Sequence, residues 1–328
     1  MTDFRKPPVD SPAAEDFDST MVDALEEMAG EHPGYRRIHA RGLLLDARFV
    51  PTGHAAASTV APHLQGSEVP AVVRFSHVSG DPTAADSMPT VRGMAVRFLS
   101  PGQPESNLVS VNMPVFVAST PPKFLELTRR LTAAPLPGPE RQAQVTSFIT
   151  AHPESLRAFE FAAALSIPES YATTQYWANH AFVWVGPTGG RRHVRYRWDP
   201  VAGVQSATPE EIASWSPTHL TNEFYRRMRR GAISFVLRVQ FAAADDPLED
   251  STQLWPSDRE EIEVGTLEIS RPSHRAGAWD AVTFDPLRVG QGIEPSNDPV
   301  LLARSAVYAI SQHRRAREAL NAFVPDSL

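Results

Sequence analysis

The sequence has 328 residues, a formal charge of −7 and 42% hydrophobic residues, so it can bury a sizeable core and is too apolar for wholesale disorder. The acidic balance argues against general binding to nucleic acid or to anionic membranes, and no apolar run is long enough for a transmembrane helix. The absence of cysteine excludes disulfides, thiolate metal ligands and cysteine nucleophiles. No secretory signal is visible after Met1, so we expect a cytoplasmic protein.

Residues 1–20 are polar, acidic and interrupted by prolines, and we expect them to form a loose N-terminal arm before a single domain over residues 21–328. Segments of strand character then come in two groups of four. The first group is Arg36–Val50, Pro70–Val78, Val91–Ser100 and Asn107–Val117, and the second is His180–Gly186, Arg191–Trp198, Ser234–Ala243 and Glu261–Ser270. Several of these segments alternate apolar and polar residues, as half-buried strands do.

Helical periodicity separates and follows the two groups. It predicts helices over Pro122–Ala133, Glu140–Ala164 and Pro209–Arg230, and a last long helix over Pro299–Phe323. A regular strand–helix alternation and a glycine-rich phosphate loop are both missing, which argues against a doubly wound nucleotide-binding fold. Eight strands in two sets of four therefore predict an α+β protein, an antiparallel β-barrel or sandwich with helices packed outside.

The last predicted helix has the most informative spacing. Arg304 and Tyr308 are four residues apart and Arg315 follows seven residues later, so the three side chains fall near one helical face. A guanidinium one turn from a phenol stabilises the phenolate, and a buried phenolate suits ferric haem iron as a ligand. A structural tyrosine–arginine pair has the same spacing, and the spacing by itself favours this simpler interpretation.

Two further clusters are basic. His39 lies in a strand pattern among arginines, where it is either a half-buried structural histidine, the commoner case, or a catalytic one. Arg74 follows an apolar run into the expected core, and a buried arginine needs an anionic partner. Together, Arg36, Arg74 and Arg315 could meet the two carboxylates of a haem, but each could equally pair with an acidic side chain.

Taken in chain order, these clusters resemble the haem catalase superfamily, in particular its short branch, the catalase-related peroxidases. The motifs that carry the resemblance are Arg36-Arg37-Ile38-His39-Ala40-Arg41-Gly42, Val73-Arg74-Phe75-Ser76, Val91-Arg92-Gly93-Met94-Ala95-Val96-Arg97-Phe98, Asn107-Leu108-Val109, Asn112-Met113-Pro114-Val115-Phe116, Lys123-Phe124 and Arg304-Ser305-Ala306-Val307-Tyr308. They span most of the chain in the family's order, which makes the set specific although each motif alone is weak. The fold implied is an eight-stranded antiparallel β-barrel with surrounding helices.

The resemblance also implies a role for each matching position. His39 matches the distal histidine, the general acid and base, and Ser76 matches the serine that orients it. Tyr308 matches the proximal ligand of the iron, and Arg304 the arginine that keeps it ionised. The remaining haem contacts match Arg36, Arg74 and Arg315, for the propionates, and Phe124, for a ring near the haem face. The implied cofactor is haem b, because attachment through cysteine is excluded.

One position departs from the family's pattern. Counting back from Pro114, the distal asparagine of full-length catalases falls on Val111. Neighbouring strand residues point to opposite faces, so Asn112 is expected to face away unless a bulge shifts the register. The sequence also ends soon after the last predicted helix, before the C-terminal helical region of full-length catalases. For both reasons we expect peroxidase activity to predominate over catalase activity.

The resemblance thus implies a haem-dependent oxidoreductase that reduces hydrogen peroxide or an organic hydroperoxide with a small organic electron donor, with weak catalase activity. A homodimer or larger assembly is compatible with the family, and neither nucleic acid nor a membrane is an expected partner. Two alternatives keep the haem: a fatty-acid hydroperoxide isomerase or lyase of the allene oxide synthase type, and a haem-binding sensor or carrier without turnover. Without haem, the sequence is typical of a β-barrel that binds a small apolar ligand.

Overall fold

Eight antiparallel strands close into a barrel in the computed structural model, which describes residues 12–134 and 137–323. The strands are β1 (Gly42–Pro51), β2 (Val69–His77), β3 (Arg92–Phe98), β4 (Ser106–Val111), β5 (Tyr176–Val185), β6 (Arg191–Pro200), β7 (Ile233–Phe241) and β8 (Glu261–Pro272). Their order around the sheet is β4-β3-β2-β1-β8-β7-β6-β5, and the pairing of Val111 with Trp177 closes it. A short strand, β9 (Ile293–Pro295), pairs with β5 along the edge opposite β6, beyond the pair that closes the barrel. The predicted eight-stranded barrel is confirmed.

The inside of the barrel is the hydrophobic core, and strand alternation decides which residues enter it. On β6, Val194, Tyr196 and Trp198 lie in the core cluster. Arg195, between them, points outward and packs over the ring of Trp255, with its Cζ atom 4.6 Å from the ring centroid. The period of two in this segment therefore predicts the inner and outer faces correctly.

Eight helices of the described residues pack outside the barrel. They are α1 (Pro12–Ala29), α2 (Pro121–Ala133), α3 (Pro139–Ala151), α4 (Leu156–Ala163), α5 (Pro209–Ala213), α6 (His219–Met228), α7 (Ala276–Ala281) and α8 (Pro299–Phe323). Helix α1 packs against both α2 and α8. Within the described ranges, no helix combines the length and the apolar character needed to cross a membrane.

Two of the predicted helices are wrong in their continuity. The predicted helix over Glu140–Ala164 is divided into α3 and α4, and the one over Pro209–Arg230 into α5 and α6. The breaks lie at Pro153 and Pro217. Proline lacks the N–H that a helix interior needs and disfavours helical geometry in the residue before it, so each helix ends and a new one begins.

The N-terminal segment also differs from the prediction. Residues 1–11 of the expected loose arm lie outside the described residues, whereas residues 12–20 belong to α1. The reason is the buried face of this helix, since Met21, Val22 and Leu25 are each no more than 4% exposed. Burial of such side chains stabilises a helix that the acidic composition alone does not reveal.

Alternation on β2 positions the candidate site outside the barrel. Val73 and Phe75 are core residues, so Arg74 and Ser76 point to the outer face. His39 contacts both of these side chains on the outer face, near the end of β2 and the start of β1.

Candidate active site

His39 lies in a loop just before β1, not in the strand that the sequence pattern predicts. The strand begins at Gly42, and His39 has φ +58°, the one positive φ of a non-glycine residue within the described ranges. Backbone bonds from His39 N to Val78 O (3.0 Å) and from Ala40 N to Ser79 O (2.9 Å) hold the loop to the end of β2. A histidine in this left-handed conformation is strained and persists only where its surroundings fix it, as they do here.

The His39 ring is buried and paired with Ser76. Its Nδ1 atom lies 2.9 Å from Ser76 Oγ. When Nδ1 carries the ring proton and donates it to Ser76, Nε2 is left with a lone pair that can accept a proton. Gly93 makes this packing possible, because a Cβ atom there would lie 2.7 Å from Ser76 Oγ and 3.0 Å from His39 Cε1.

Burial, followed by the positive charges of Arg74 and Arg304, lowers the pKa of His39 to about 3. The ring is therefore neutral at ordinary pH and ready to act as a base.

We expect the rate of peroxide activation to be independent of pH between about 5 and 8, because a base of lowered pKa loses its lone pair only as the pH falls toward that value. The measurement is kcat/KM for peroxide at a series of pH values, with unfolding followed in parallel. An acid limb with a midpoint near the ordinary histidine pKa would contradict the prediction.

Val111, not Asn112, shares the face that carries Ser76. In the regular β2–β3–β4 register, Gly93 pairs with Ser76 on one side and with Val111 on the other, and directly opposed residues point to the same face. Asn112 instead uses its side chain locally, since its Oδ1 accepts a hydrogen bond from Arg92 N at 2.7 Å. The expectation that Asn112 faces away is confirmed, and the wall beside His39 is apolar at this position.

Tyr308 and Arg304 form a direct pair on α8. Arg304 Nη2 donates to Tyr308 Oη at 2.6 Å, and the guanidinium Cζ lies 5.3 Å from the centre of the phenol ring. The predicted four-residue spacing therefore produces a contact. The hydrogen bond fixes the position of the phenol oxygen on this face of α8.

A buried histidine–aspartate pair, which the sequence analysis missed, lies behind this helix. His180 on β5 places Nδ1 2.7 Å from Oδ2 of Asp298, and the other carboxylate oxygen of Asp298 accepts from Val300 N at the start of α8. Burial lowers the pKa of His180, Asp298 opposes that change, and Arg304 adds to it. The pair thus ties β5 to the beginning of α8, the helix that carries Arg304 and Tyr308. The available signal was Asp298-Pro299 as a helix start, but nothing in the sequence joined it to His180.

The three predicted propionate ligands converge. Arg36, Arg74 and Arg315 all contact Asp280, at the end of α7. Arg36 and Asp280 form an ion pair, Arg74 Nε lies 3.5 Å from Asp280 Oδ1, and Arg315 Nη1 donates to Asp280 O at 3.0 Å. Arg74 Nη2 also donates to His39 O at 3.0 Å, so the cluster is tied to the histidine loop. Asp280 is the second residue that the sequence analysis missed.

The charges of this arginine cluster are poorly balanced. Burial, and then the charge of Arg36, lowers the pKa of Arg74 to about 9 and that of Arg315 to about 10. Within the described residues, the buried Nε atom of Arg315 has no hydrogen-bond partner, and that of Arg74 has only the ion-pair contact with Asp280 at 3.5 Å. A buried guanidinium with free N–H groups favours an additional anion.

Phe124 lies on α2 and is part of a small apolar cluster with residues of α1 and with Val307 of α8, next to Tyr308. Its ring centre is 5.1 Å from that of Phe116, which in turn lies 6.2 Å from the His180 ring. Phe124 and Phe116 therefore line the region beside α8. Phe116 belongs to a motif quoted above but was not predicted as a site residue.

The fold is that of a catalase. The crystal structure of a fungal catalase superposes with a TM-score of 0.76 at 23% sequence identity, over 90% of this chain and 62% of the fungal chain. The family profile described as Catalase matches residues 14–323, and the chain therefore belongs to the catalase family, whose members are in general haem-dependent oxidoreductases.

Among named relatives, two are catalase-related peroxidases. One, from Mycolicibacterium paratuberculosis, is 38% identical over 292 residues, which cover 88% of this chain and 92% of the relative. The other, from Synechococcus elongatus, is 32% identical, with 90% and 88% covered. A catalase from Vibrio vulnificus is 28% identical over 90% of this chain but only 60% of its own length. The chain thus matches the short relatives almost end to end and the longer catalase in part.

Proposed function

We propose that this protein is a haem b peroxidase that reduces hydrogen peroxide or an organic hydroperoxide with a small organic electron donor, and that it has weak catalase activity. The observation that carries the proposal is the link between the buried His39 loop and α8, the helix that carries the Arg304–Tyr308 pair: Arg74 donates to His39 O and lies against Asp280, whose backbone carbonyl accepts from Arg315 of α8. The near full-length similarity to two catalase-related peroxidases supports the same conclusion.

The residues present fit a haem. Tyr308 offers a phenol oxygen that Arg304 holds in place at 2.6 Å, and a hard oxygen ligand of this kind suits ferric iron. Arg36, Arg74 and Arg315 offer an under-neutralised cationic cluster for the two propionates. When bound, the haem supplies the redox-active iron that exchanges electrons with the peroxide.

The protein's part in the reaction is proton transfer and orientation. His39 Nε2 is the group that would accept the proton of one peroxide oxygen and return it to the other, so that water or an alcohol could leave as the O–O bond breaks. Ser76 keeps the ring in the required orientation through Nδ1. Tyr308 would supply the oxygen that holds the iron, and Arg304 holds that oxygen in place through its hydrogen bond. The donor then restores the two electrons that the peroxide has taken.

The test is the visible absorption spectrum of the purified protein supplied with haem, recorded before and after a stoichiometric addition of peroxide. We expect a high-spin ferric spectrum that changes on peroxide addition and returns when a phenolic donor is added. Failure to take up haem would overturn the proposal, and a spectrum insensitive to peroxide would indicate a carrier or sensor. Rearrangement of a lipid hydroperoxide without any donor would indicate an isomerase instead.

Val111→Asn is expected to raise hydrogen peroxide disproportionation about tenfold, which corresponds to one hydrogen bond of about 1.4 kcal/mol in the transition state. The reason is that Val111 shares its face with Ser76, so an amide at this position can orient a second peroxide. The measurement is oxygen evolution per bound haem. Val111→Leu is the matched control, since leucine has the size of asparagine without its amide. Equal rates in the two variants would show that this position does not limit catalase activity.

A further inference from the structure

We propose that Asp280 is the internal counter-ion of the arginine cluster formed by Arg36, Arg74 and Arg315. In the haem-free protein it holds the three guanidiniums together, and it gives way to the haem carboxylates when they bind. This inference rests on the proposed haem-binding function and adds to it a positioning residue that competes with the ligand.

The contacts of Asp280 divide into two sets. Its backbone carbonyl accepts hydrogen bonds from Arg36 Nη2 at 2.8 Å and from Arg315 Nη1 at 3.0 Å, and Val282 O accepts from Arg36 Nη2 at 3.0 Å. Its carboxylate pairs with Arg36 and lies 3.5 Å from Arg74 Nε. The carbonyls at the end of α7 therefore fix the positions of two arginines, whereas the side chain neutralises charge.

The exposure of these groups allows the carboxylate, but not the arginines, to move. The side chain of Asp280 is 50% exposed, whereas those of Arg36 and Arg74 are 14% and 5% exposed. A carboxylate that turns toward solvent regains its hydration, so its displacement leaves no buried unpaired negative charge. The buried guanidiniums cannot follow it, and they remain available to an incoming carboxylate.

The charge balance points to a ligand with two carboxylates. Three guanidiniums and one carboxylate leave the cluster with a net charge of +2 in the haem-free protein, and two propionates that replace Asp280 reduce it to +1. Arg37 adds no free positive charge to the cluster, because it is itself paired with Glu318 and Glu26. Burial by itself would raise the pKa of Asp280, but the charges of Arg36 and Arg74 lower it, so the carboxylate is ionised at neutral pH and repels a propionate.

The experiment compares the binding of two probes, iron protoporphyrin IX and its dimethyl ester, which lacks the carboxylates. For each protein, the dissociation constant of the dimethyl ester divided by that of the free acid measures the contribution of the propionates. We expect Asp280→Asn to raise this ratio about tenfold in favour of the free acid, because one like charge near the propionates is removed. The haem-free variant is expected to unfold at a temperature lower by roughly 5 °C, with the difference shrinking once haem is bound.

Two control variants separate this role from a merely structural one. Asp280→Glu keeps the charge and should retain the wild-type ratio. Glu294→Gln removes a similarly exposed carboxylate that pairs with Arg191, on strands β9 and β6 that carry none of the three arginines, and should also leave the ratio unchanged. An unchanged or lower ratio in Asp280→Asn overturns the inference, since a structural defect weakens both probes equally.

The failure of the inference can be told from that of the proposed function. If the wild-type protein binds neither probe, the proposed function fails and this inference fails with it. If the wild-type protein binds haem but Asp280→Asn leaves the ratio unchanged, only the inference fails. Should Asp280→Asn fold only when haem is supplied, the inference is supported. A variant that fails to fold even with haem, while Asp280→Glu folds, overturns it.

Discussion

Tyr308→Phe is expected to weaken haem binding by roughly 10²-fold, about 3 kcal/mol, and to change the ferric spectrum of any haem that remains bound. The substitution removes one oxygen atom and leaves the ring, so packing on α8 is preserved. Arg304 Nη2 also loses the acceptor that lies 2.6 Å away. Haem affinity is measured by titration of the haem-free protein, and the spectrum is recorded at saturation.

Tyr225→Phe is the matched control, because it removes a phenol oxygen from α6, a helix that contributes none of the residues described at the site. Circular dichroism of both variants should match the wild-type protein. Wild-type affinity together with a wild-type spectrum in Tyr308→Phe would remove this residue as the iron ligand. A loss of helical signal in Tyr308→Phe would instead show that the weaker haem binding results from a folding defect.

Replacement of His39 by asparagine is expected to slow peroxide activation by about 10²-fold or more while haem stays bound, which is the usual scale of acid–base catalysis. Asparagine tolerates positive φ better than other non-glycine residues do, so the loop at φ +58° should persist. The decrease in rate would then be caused by the missing base and not by a rearranged backbone. The measurement is the rate of spectral change after rapid mixing with peroxide.

His313→Asn provides the control for this variant, since His313 is an exposed histidine on α8. Its rate should equal that of the wild-type protein. Ser76→Ala gives an intermediate test, because it keeps the His39 ring but removes the oxygen 2.9 Å from Nδ1. A smaller decrease, about tenfold, is expected there. Unchanged kinetics in His39→Asn would exclude this histidine from the proton transfer.

Local patterns predicted most of the secondary structure. The period-two segments correspond to the eight barrel strands, and the helix over Pro299–Phe323 has the predicted bounds. The errors lie where another factor outweighs periodicity, either a proline in the segment or a contact with a distant part of the chain. At Pro153 and Pro217 the missing N–H of proline outweighs a helical pattern on both sides. At residues 36–41 the strand pattern is outweighed by contacts with the end of β2 and with Arg74.

The candidate site was predicted in part. Spacing along one helix is enough to place Arg304 beside Tyr308, because residues four apart are neighbours on any α-helix. The pairing of His39 with Ser76 joins residues 37 positions apart and followed only from the family resemblance. The pairs His180–Asp298 and Arg36–Asp280, separated by 118 and 244 positions, were not predicted at all.

The sequence by itself determined the positions of the strands, the last long helix, the inner and outer faces of the strands that alternate, and the Arg304–Tyr308 contact, since all of these depend on neighbours within a few residues. Only the tertiary structure decided the left-handed backbone of His39, its neutral state at ordinary pH, and the meeting of three arginines at Asp280. These properties arise from burial and from charges brought together across the barrel, and neither quantity is encoded in local spacing.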